Sequence, residues 1–287
     1  MADAQAPSSH TAQAQFWNSP ATRAWADHYE PIDRLFSQVT DAAIAVAAPQ
    51  PGEQVLDIGC GGGTTVLKLA EHVGPRGSIV GADISANSVA KLRERIAAAG
   101  LSNADAVLAD AATYPFEAGR FDLAFSRLGI MFFADPTAAF ANVRRAMKPS
   151  GRLALAVFRT PGENSFSRGP LEAVRDLLPS FRPPRPDEPG MFSWADPDRV
   201  RRILDGAGFR HMSLTPIDPV MCFAGPGGFA EAADLAMMVG HVSRALAGAG
   251  AARRHAVRAA LTVFFQRHDG PTGITLPGAL WIVEARA

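Results

Sequence analysis

The residues with the clearest chemical potential lie at the end of an apolar run, Val55-Leu-Asp-Ile-Gly-Cys-Gly-Gly-Gly63. Glycines at 59, 61 and 63 let the backbone turn tightly and approach a ligand with no Cβ in the way. The helix-forming residues from Thr64 onward point free N–H groups at that turn, which favours an anion such as a carboxylate. Asp57, inside the run, is placed to accept a hydrogen bond from an ammonium group. Many nucleotide-using enzymes share such a turn, so on its own it is a weak signal. Two further acids strengthen it. Asp83 closes the next apolar run, Ser78-Ile-Val-Gly-Ala-Asp83, where it could accept from both ribose hydroxyls of a nucleoside. Asp110 and Ala111 follow the third run, and a carboxylate with a neighbouring N–H there could read the amine and a ring nitrogen of adenine. Any one of these acids is explained as a helix N-cap. Three of them closing successive runs point to one ligand at one edge of a sheet.

The elements that must position them alternate. Apolar runs at Gln54–Ile58, Ser78–Ala82, Ala104–Leu108, Phe121–Ser126 and Arg152–Phe158 are separated by helix-like segments at Thr64–His72, Asn87–Ala99 and Pro136–Met147. This is the pattern of a parallel sheet with crossover helices, an α/β fold. Asp135-Pro136 and Asp196-Pro197 read as helix starts, with a capping acid followed by proline at the first turn. Beyond Phe158 the rhythm changes: a proline-rich stretch runs to Gly190, then come a helix from Asp196 to Ala207 and strands at His211–Ile217 and Gly278–Ala285, with two helices between Phe229 and Arg267. With no repeat and no second sheet in the pattern, residues 1–287 are expected to form a single domain. In it, residues 1–15 would be a disordered leader, 16–50 an N-terminal helical lid, and 160–190 and 219–270 substrate-side insertions.

Bulk properties narrow the partners. Lys+Arg and Asp+Glu both number 28, giving a formal net charge of zero, and only short basic pairs such as Arg253-Arg254 occur. A nucleic-acid surface needs a basic excess or stripe, so none is expected. Two cysteines, Cys60 and Cys222, make neither a disulfide framework nor a metal site and fit a reducing, cytoplasmic compartment. No stretch reaches the roughly 18 apolar residues of a membrane helix, and the N-terminus lacks the pattern of a signal peptide.

The motifs Asp57-Ile-Gly-Cys-Gly-Gly-Gly63, Gly81-Ala-Asp83 and Ala109-Asp110-Ala111 resemble the cofactor motifs of class I S-adenosylmethionine-dependent methyltransferases. Phe121-Asp-Leu-Ala-Phe-Ser-Arg127, Leu128-Gly-Ile-Met-Phe-Phe-Ala-Asp-Pro136 and Arg144-Arg-Ala-Met-Lys-Pro-Ser-Gly-Arg152 resemble the ubiquinone/menaquinone-biosynthesis type of that family. The resemblance implies a Rossmann-like seven-stranded sheet whose last strand is antiparallel. It implies that Asp57, Gly59, Gly61 and Gly63 hold the methionine moiety, Asp83 the ribose, and Asp110 and Ala111 the adenine. Ile84 would pack on an adenine face, and Ser126 and Arg127 would border the sulfonium. A nicotinamide-dependent dehydrogenase would share the glycines and Asp83. It fits less well, because the loop lacks the G-x-G-x-x-G spacing and Asp57 and Asp110 would have no role.

A sulfonium is already a strong electrophile, so aligning an acceptor in a dry pocket supplies much of the rate, and a general base is optional. The segment Ser126-Arg-Leu-Gly129 lacks the Asn/Asp-Pro-Pro-aromatic motif of enzymes that methylate planar amines, which favours O- or C-methylation. It also lacks the acids of metal-dependent catechol enzymes, and no metal is expected. The expected partner is a small, hydrophobic acceptor such as a phenol or a polyketide-like or lipid-like acid, and assembly as a homodimer is left open. Phe16-Trp17-Asn18 and Trp25-Ala-Asp-His-Tyr29 suit either a lid or a packed helix, while Met237, Met238 and Phe264 suit either core or pocket. His241 and then His28 are the candidate bases, and Arg127 a candidate anchor for an acidic or carbonyl-bearing acceptor. The glycines and acids specify binding, not turnover, so a non-catalytic S-adenosylmethionine-binding protein satisfies them too.

Overall fold

The computed structural model describes residues 9–178 and 180–287. The chain opens with helices α1 (Ser9–Trp17), α2 (Pro20–Asp27), α3 (Tyr29–Leu35) and α4 (Ser37–Ala47). It then alternates β1 (Gln54–Ile58), α5 (Thr64–Val73), β2 (Ser78–Asp83), α6 (Ala86–Ala98), β3 (Ala104–Leu108), β4 (Phe121–Arg127), α7 (Pro136–Ala146) and β5 (Met147–Phe158). Local signals fix these boundaries. Gly74 follows α5, Ser85 caps α6 by accepting from the Ser88 N–H, and Asp135 caps α7 by accepting from the Ala138 N–H with Pro136 at the first turn.

Next come α8 (Ser165–Ala173), α9 (Pro197–Gly206), β6 (Arg210–Ile217), β7 (Val220–Ala224), α10 (Phe229–Met238), α11 (Gly240–Ala245), α12 (Ala251–Gln266), β8 (Asp269–Gly270), β9 (Gly273–Pro277) and β10 (Leu280–Arg286). The main sheet has the order β3-β2-β1-β4-β5-β10-β6. Strands β1 to β5 pair in parallel, and β10 lies antiparallel between β5 and β6. This is the seven-stranded sheet the motifs imply. The strand order reverses between β1 and β4, and the crevice beyond their carboxyl ends is where such sheets bind ligands. Val55, Leu56, Asp57 and Ile58 are all buried, as befits a central parallel strand covered on both faces.

Three expectations are corrected. A second sheet exists, in the order β7-β9-β8, where the pattern gave none. Its strands are short, and β7 pairs with a segment about fifty residues further on, so no local periodicity reveals it. Between Phe229 and Arg267 there are three helices, because Gly240 at φ +67 also breaks the chain. The expected leader falls partly outside the described residues (1–8), and its remainder is helical, within α1.

Candidate active site

The turns after β1 and β4 touch backbone to backbone. A Cβ on Gly59 would fall 2.7 Å from Cα of Gly129, and one on Gly129 would meet the Ile58 carbonyl oxygen at the same distance. Neither position tolerates a side chain. Leu128, beside this contact, is held at φ +68, a conformation that a non-glycine residue adopts only under constraint from its surroundings. Gly61, at φ +55, has nothing within 4 Å of where a Cβ would stand, and its N–H donates to Asp83 Oδ2 at 2.8 Å. Gly63, at φ +91, packs against Leu92 of α6, so its role lies in packing rather than in facing a ligand.

The three acids take different stations. Asp83 borders the cavity, receiving the Gly61 N–H on one oxygen and the Ser85 N–H on the other. Burial raises its pKa, and those backbone donors pull the other way. Asp110 borders the cavity and accepts from the Ala112 N–H at 2.9 Å, beside buried Ala111. Asp57 is fully enclosed beneath the cavity floor. Its Oδ2 accepts from the Thr65 hydroxyl, while its Oδ1 has no partner. Burial pushes this carboxyl up to about 7 against opposing pulls from Thr65 and Arg127, with Asp83 adding to the rise. Asp57, expected at the ligand, does not itself border the cavity, whereas Thr65, which donates to it, does.

The cavity itself measures about 450 Å³, within the range of small-molecule and cofactor sites. One end carries Gly59, Gly61, Asp83, Ile84, Asp110 and Ala111; the other is walled by Phe36, Phe158, Phe166, Met191, Met238 and His241. The aromatic wall is continuous, with Phe158 and Phe166 ring centroids 5.2 Å apart and Phe36 at 6.2 Å from both. The N-terminal helices close over the first end. Asn18 donates to the Ile84 carbonyl and accepts from the Ala86 N–H, and Trp17 packs edge-on against Phe132 at 4.9 Å. Arg34 of α3 bridges to Glu231 of α10, joining the lid to the insertion. Met237 and Phe264 lie outside the cavity lining.

His241 is buried on the cavity wall, with Phe181 at 5.8 Å and Phe192 at 5.5 Å. Burial, and then the charge of Arg244, lower its pKa to about 4, so the imidazole is neutral at physiological pH. His28 is exposed at the start of α3 and does not line the cavity. Ser126 is fully buried, donating to the Ile58 carbonyl at 2.6 Å and accepting from the Gly129 N–H; it braces the two turns and does not border the cavity. Arg127 lines the cavity, but its guanidinium donates to Thr40 at 2.9 Å and to Asp33 at 3.5 Å. Asp33 also accepts from Thr64 and pairs with Arg95, so this cluster locks α3 onto the glycine loop. Sequence reasoning missed Thr65, Phe166 and Arg244 as cavity residues, whereas Asn18 and Phe36 fall within the expected lid and Cys60 within the glycine loop. Only the aromatic spacing around Phe16 and Trp25 hinted at the lid.

The donor set suits S-adenosylmethionine on structural grounds. Gly61 leaves open space on the loop, carboxylates sit at two successive strand ends, and an orphaned carboxylate oxygen lies under the floor. The fold is that of the class I S-adenosylmethionine-dependent methyltransferases. It is shared with the YcgJ protein of Bacillus subtilis (16% identity, TM-score 0.57, covering 87% of this chain and 98% of that one). It is shared also with the [4+2]-cyclase SpnF (20% identity, TM-score 0.52, covering 87% and 80%).

Residues 49–180 match the family model described as a methyltransferase domain. The aklanonic acid methyltransferase DauC of Streptomyces sp. (strain C5) is 29% identical over 70% of this chain and 96% of its own length. The nocamycin O-methyltransferase of Saccharothrix syringae is 34% identical over 147 residues, half of this chain and 52% of its own length. The chain thus spans about half of one relative and nearly all of the other. The ubiquinone/menaquinone biosynthesis C-methyltransferase UbiE of Shewanella frigidimarina is 35% identical over 41% of this chain and 47% of its own length.

Proposed function

We propose that the protein transfers the methyl group of S-adenosylmethionine to a small hydrophobic acceptor, at oxygen or carbon. The observation that carries this reading is the continuity of the cavity, which joins a loop edged with carboxylates to an aromatic and methionine wall. The relatives' names, a nocamycin O-methyltransferase, an aklanonic acid methyltransferase and a ubiquinone/menaquinone biosynthesis C-methyltransferase, support a small acceptor methylated at oxygen or carbon.

When bound, the cofactor supplies an electrophilic methyl on its sulfonium. The chain's own residues do the rest. Asp83 holds the ribose, Asp110 and the Ala111 N–H hold the adenine, and Ile84 covers one face of it. Gly59 and Gly61 let the loop close on the methionine end, braced from below by Asp57 through Thr65. The Trp17–Phe132 contact and the Asn18 hydrogen bonds close the roof and exclude water, which aligns an acceptor and strengthens every polar contact inside. An imidazole nitrogen of neutral His241 accepts the acceptor's proton, or a hydrogen bond from it. The two free thiols, Cys60 and Cys222, fit a reducing compartment, and we place the protein in the cytoplasm. No described helix is long and apolar enough to cross a membrane.

Isothermal titration with S-adenosylmethionine, S-adenosylhomocysteine and NAD tests the cofactor, with Asp83→Ala as control. Binding of the first two, lost in the variant, is expected and opens an acceptor screen by homocysteine release. Binding of NAD alone would replace methyl transfer with hydride transfer.

A further inference from the structure

The cavity wall carries a charge, that of Arg244, which no described residue answers. Arg244 lines the cavity from α11, one helical turn beyond His241. No hydrogen bond or ion pair joins its guanidinium to any described residue. Its partner is the π face of Phe16, 5.5 Å from the guanidinium carbon. Arg127, the other arginine on the cavity wall, is already engaged by Asp33 and Thr40. Asp83 and Asp110 belong to the opposite, cofactor end.

Arg244 as a whole is exposed, yet its guanidinium reaches the cavity wall, where it stacks on Phe16 and meets no described acceptor. Burial accordingly pulls the Arg244 pKa below its ordinary value. The same charge also works against proton uptake by His241, so an uncompensated cation here opposes the neighbouring imidazole. An anion on a ligand in the cavity would answer this charge. Arg offers a planar fork of donors suited to a carboxylate, and the surrounding aromatic and methionine side chains suit an apolar body.

We propose that Arg244 is the anchor for an anionic group on the acceptor, so that the substrate class is an apolar carboxylic acid or an acid of similar shape. This rests on the methyltransferase reading and shifts the anchoring role from Arg127 to a residue of the insertion. The acid group sits at α11, and the apolar body runs along Phe36, Phe158 and Phe166.

The test is titration of the full chain, saturated with S-adenosylhomocysteine, with 2-naphthoate, decanoate and anthraquinone-2-carboxylate, each against its primary amide. At least one acid is expected to bind about tenfold or more tightly than its amide, as a charge-assisted hydrogen bond implies. Arg244→Gln should abolish that preference and Arg244→Lys retain part of it, with S-adenosylhomocysteine affinity unchanged in both. Absence of acid preference, whether both classes bind alike or neither binds, overturns the anchor while leaving the methyltransferase reading intact. Acid preference that persists in Arg244→Gln overturns it too and returns the role to Arg127. Failure of the wild type to bind S-adenosylhomocysteine overturns the methyltransferase reading itself, and the anchor with it.

Discussion

Replacing Asp57 by asparagine is expected to stabilise the ligand-free protein at pH 8 while weakening its hold on S-adenosylhomocysteine. The carboxyl is fully enclosed, and only one of its oxygens has a partner. Its rise from 3.8 to about 7 corresponds to about 4 kcal/mol carried by the folded state when the group is ionised. The folded protein binds this proton more tightly than the unfolded chain does. The penalty is therefore absent below pH 3.8, grows between 3.8 and about 7, and is complete above that. Asparagine carries no charge and can still accept from Thr65, but its buried NH2 costs about 1–3 kcal/mol if it finds no acceptor. The net gain at pH 8 is then about 2 kcal/mol, a rise of a few degrees in Tm for a chain of this size. Thermal unfolding of both proteins from pH 5 to 8 reads this directly, since the gap should narrow as pH falls. Calorimetry in two buffers of different ionisation enthalpy adds the ligand. A cationic ligand above the floor should lower the carboxyl's pKa, so binding near pH 7 releases protons in the wild type and none in Asp57→Asn. A Tm difference that is constant with pH, or equal proton release in both, would refute the assignment of this strained charge to Asp57.

Four further outcomes are expected. Gly129→Ala forces a Cβ to within 2.7 Å of the Gly59 backbone, so cofactor affinity should fall at least about tenfold, together with a loss of Tm of the size seen for severe backbone conflicts. Ser126→Ala removes a buried hydroxyl that braces both turns; it should cost about 1–3 kcal/mol in chemical denaturation, with S-adenosylmethionine affinity nearly unchanged, because Ser126 does not border the cavity. His28→Gln should leave turnover within about twofold, whereas His241→Gln should lower it by roughly a hundredfold if the imidazole takes a proton, as homocysteine release would measure. Because His241 titrates near pH 4 and is neutral above about pH 5, the profile of kcat/KM should show no inflection from it between pH 6 and 8; an NMR titration of its ring protons checks this independently.

The cofactor half of this molecule was legible from the residues because local chemistry dictates it. Glycines that need positive φ, acids closing successive strands and capping acids before prolines act over a few residues, and the structure places Gly59, Gly61, Asp83, Ile84, Asp110 and Ala111 around one cavity. The acceptor half was only partly legible, because distant packing builds it. Phe36, Phe166, Met191 and Arg244 meet across well over a hundred residues of sequence, and no period marks them. The second sheet escaped for the same reason. Ser126 and Asp57 show a subtler limit: their types suit a ligand contact, yet a hydrogen bond from below turns one into a brace and burial hides the other beneath the floor. His241 and His28 were equal in kind as sequence, and only burial separates them.

The antiparallel insertion of β10 between β5 and β6 bears on how the chain acquires this shape during synthesis. Leu280 pairs with Phe158 on one side and with Ile217 on the other, so the two older strands cannot reach their final spacing until the newest one arrives. About 120 residues separate β10 from β5, and elongation at 5–20 residues per second leaves that gap open for roughly ten seconds. During that interval β5 is an unpaired, strongly apolar edge, the kind of surface that recruits other chains. Shortening the C-terminus by a single strand would make this transient state permanent. Expression yield of a chain ending before Leu280 should therefore collapse into aggregate even though the glycine loop and its acids are untouched.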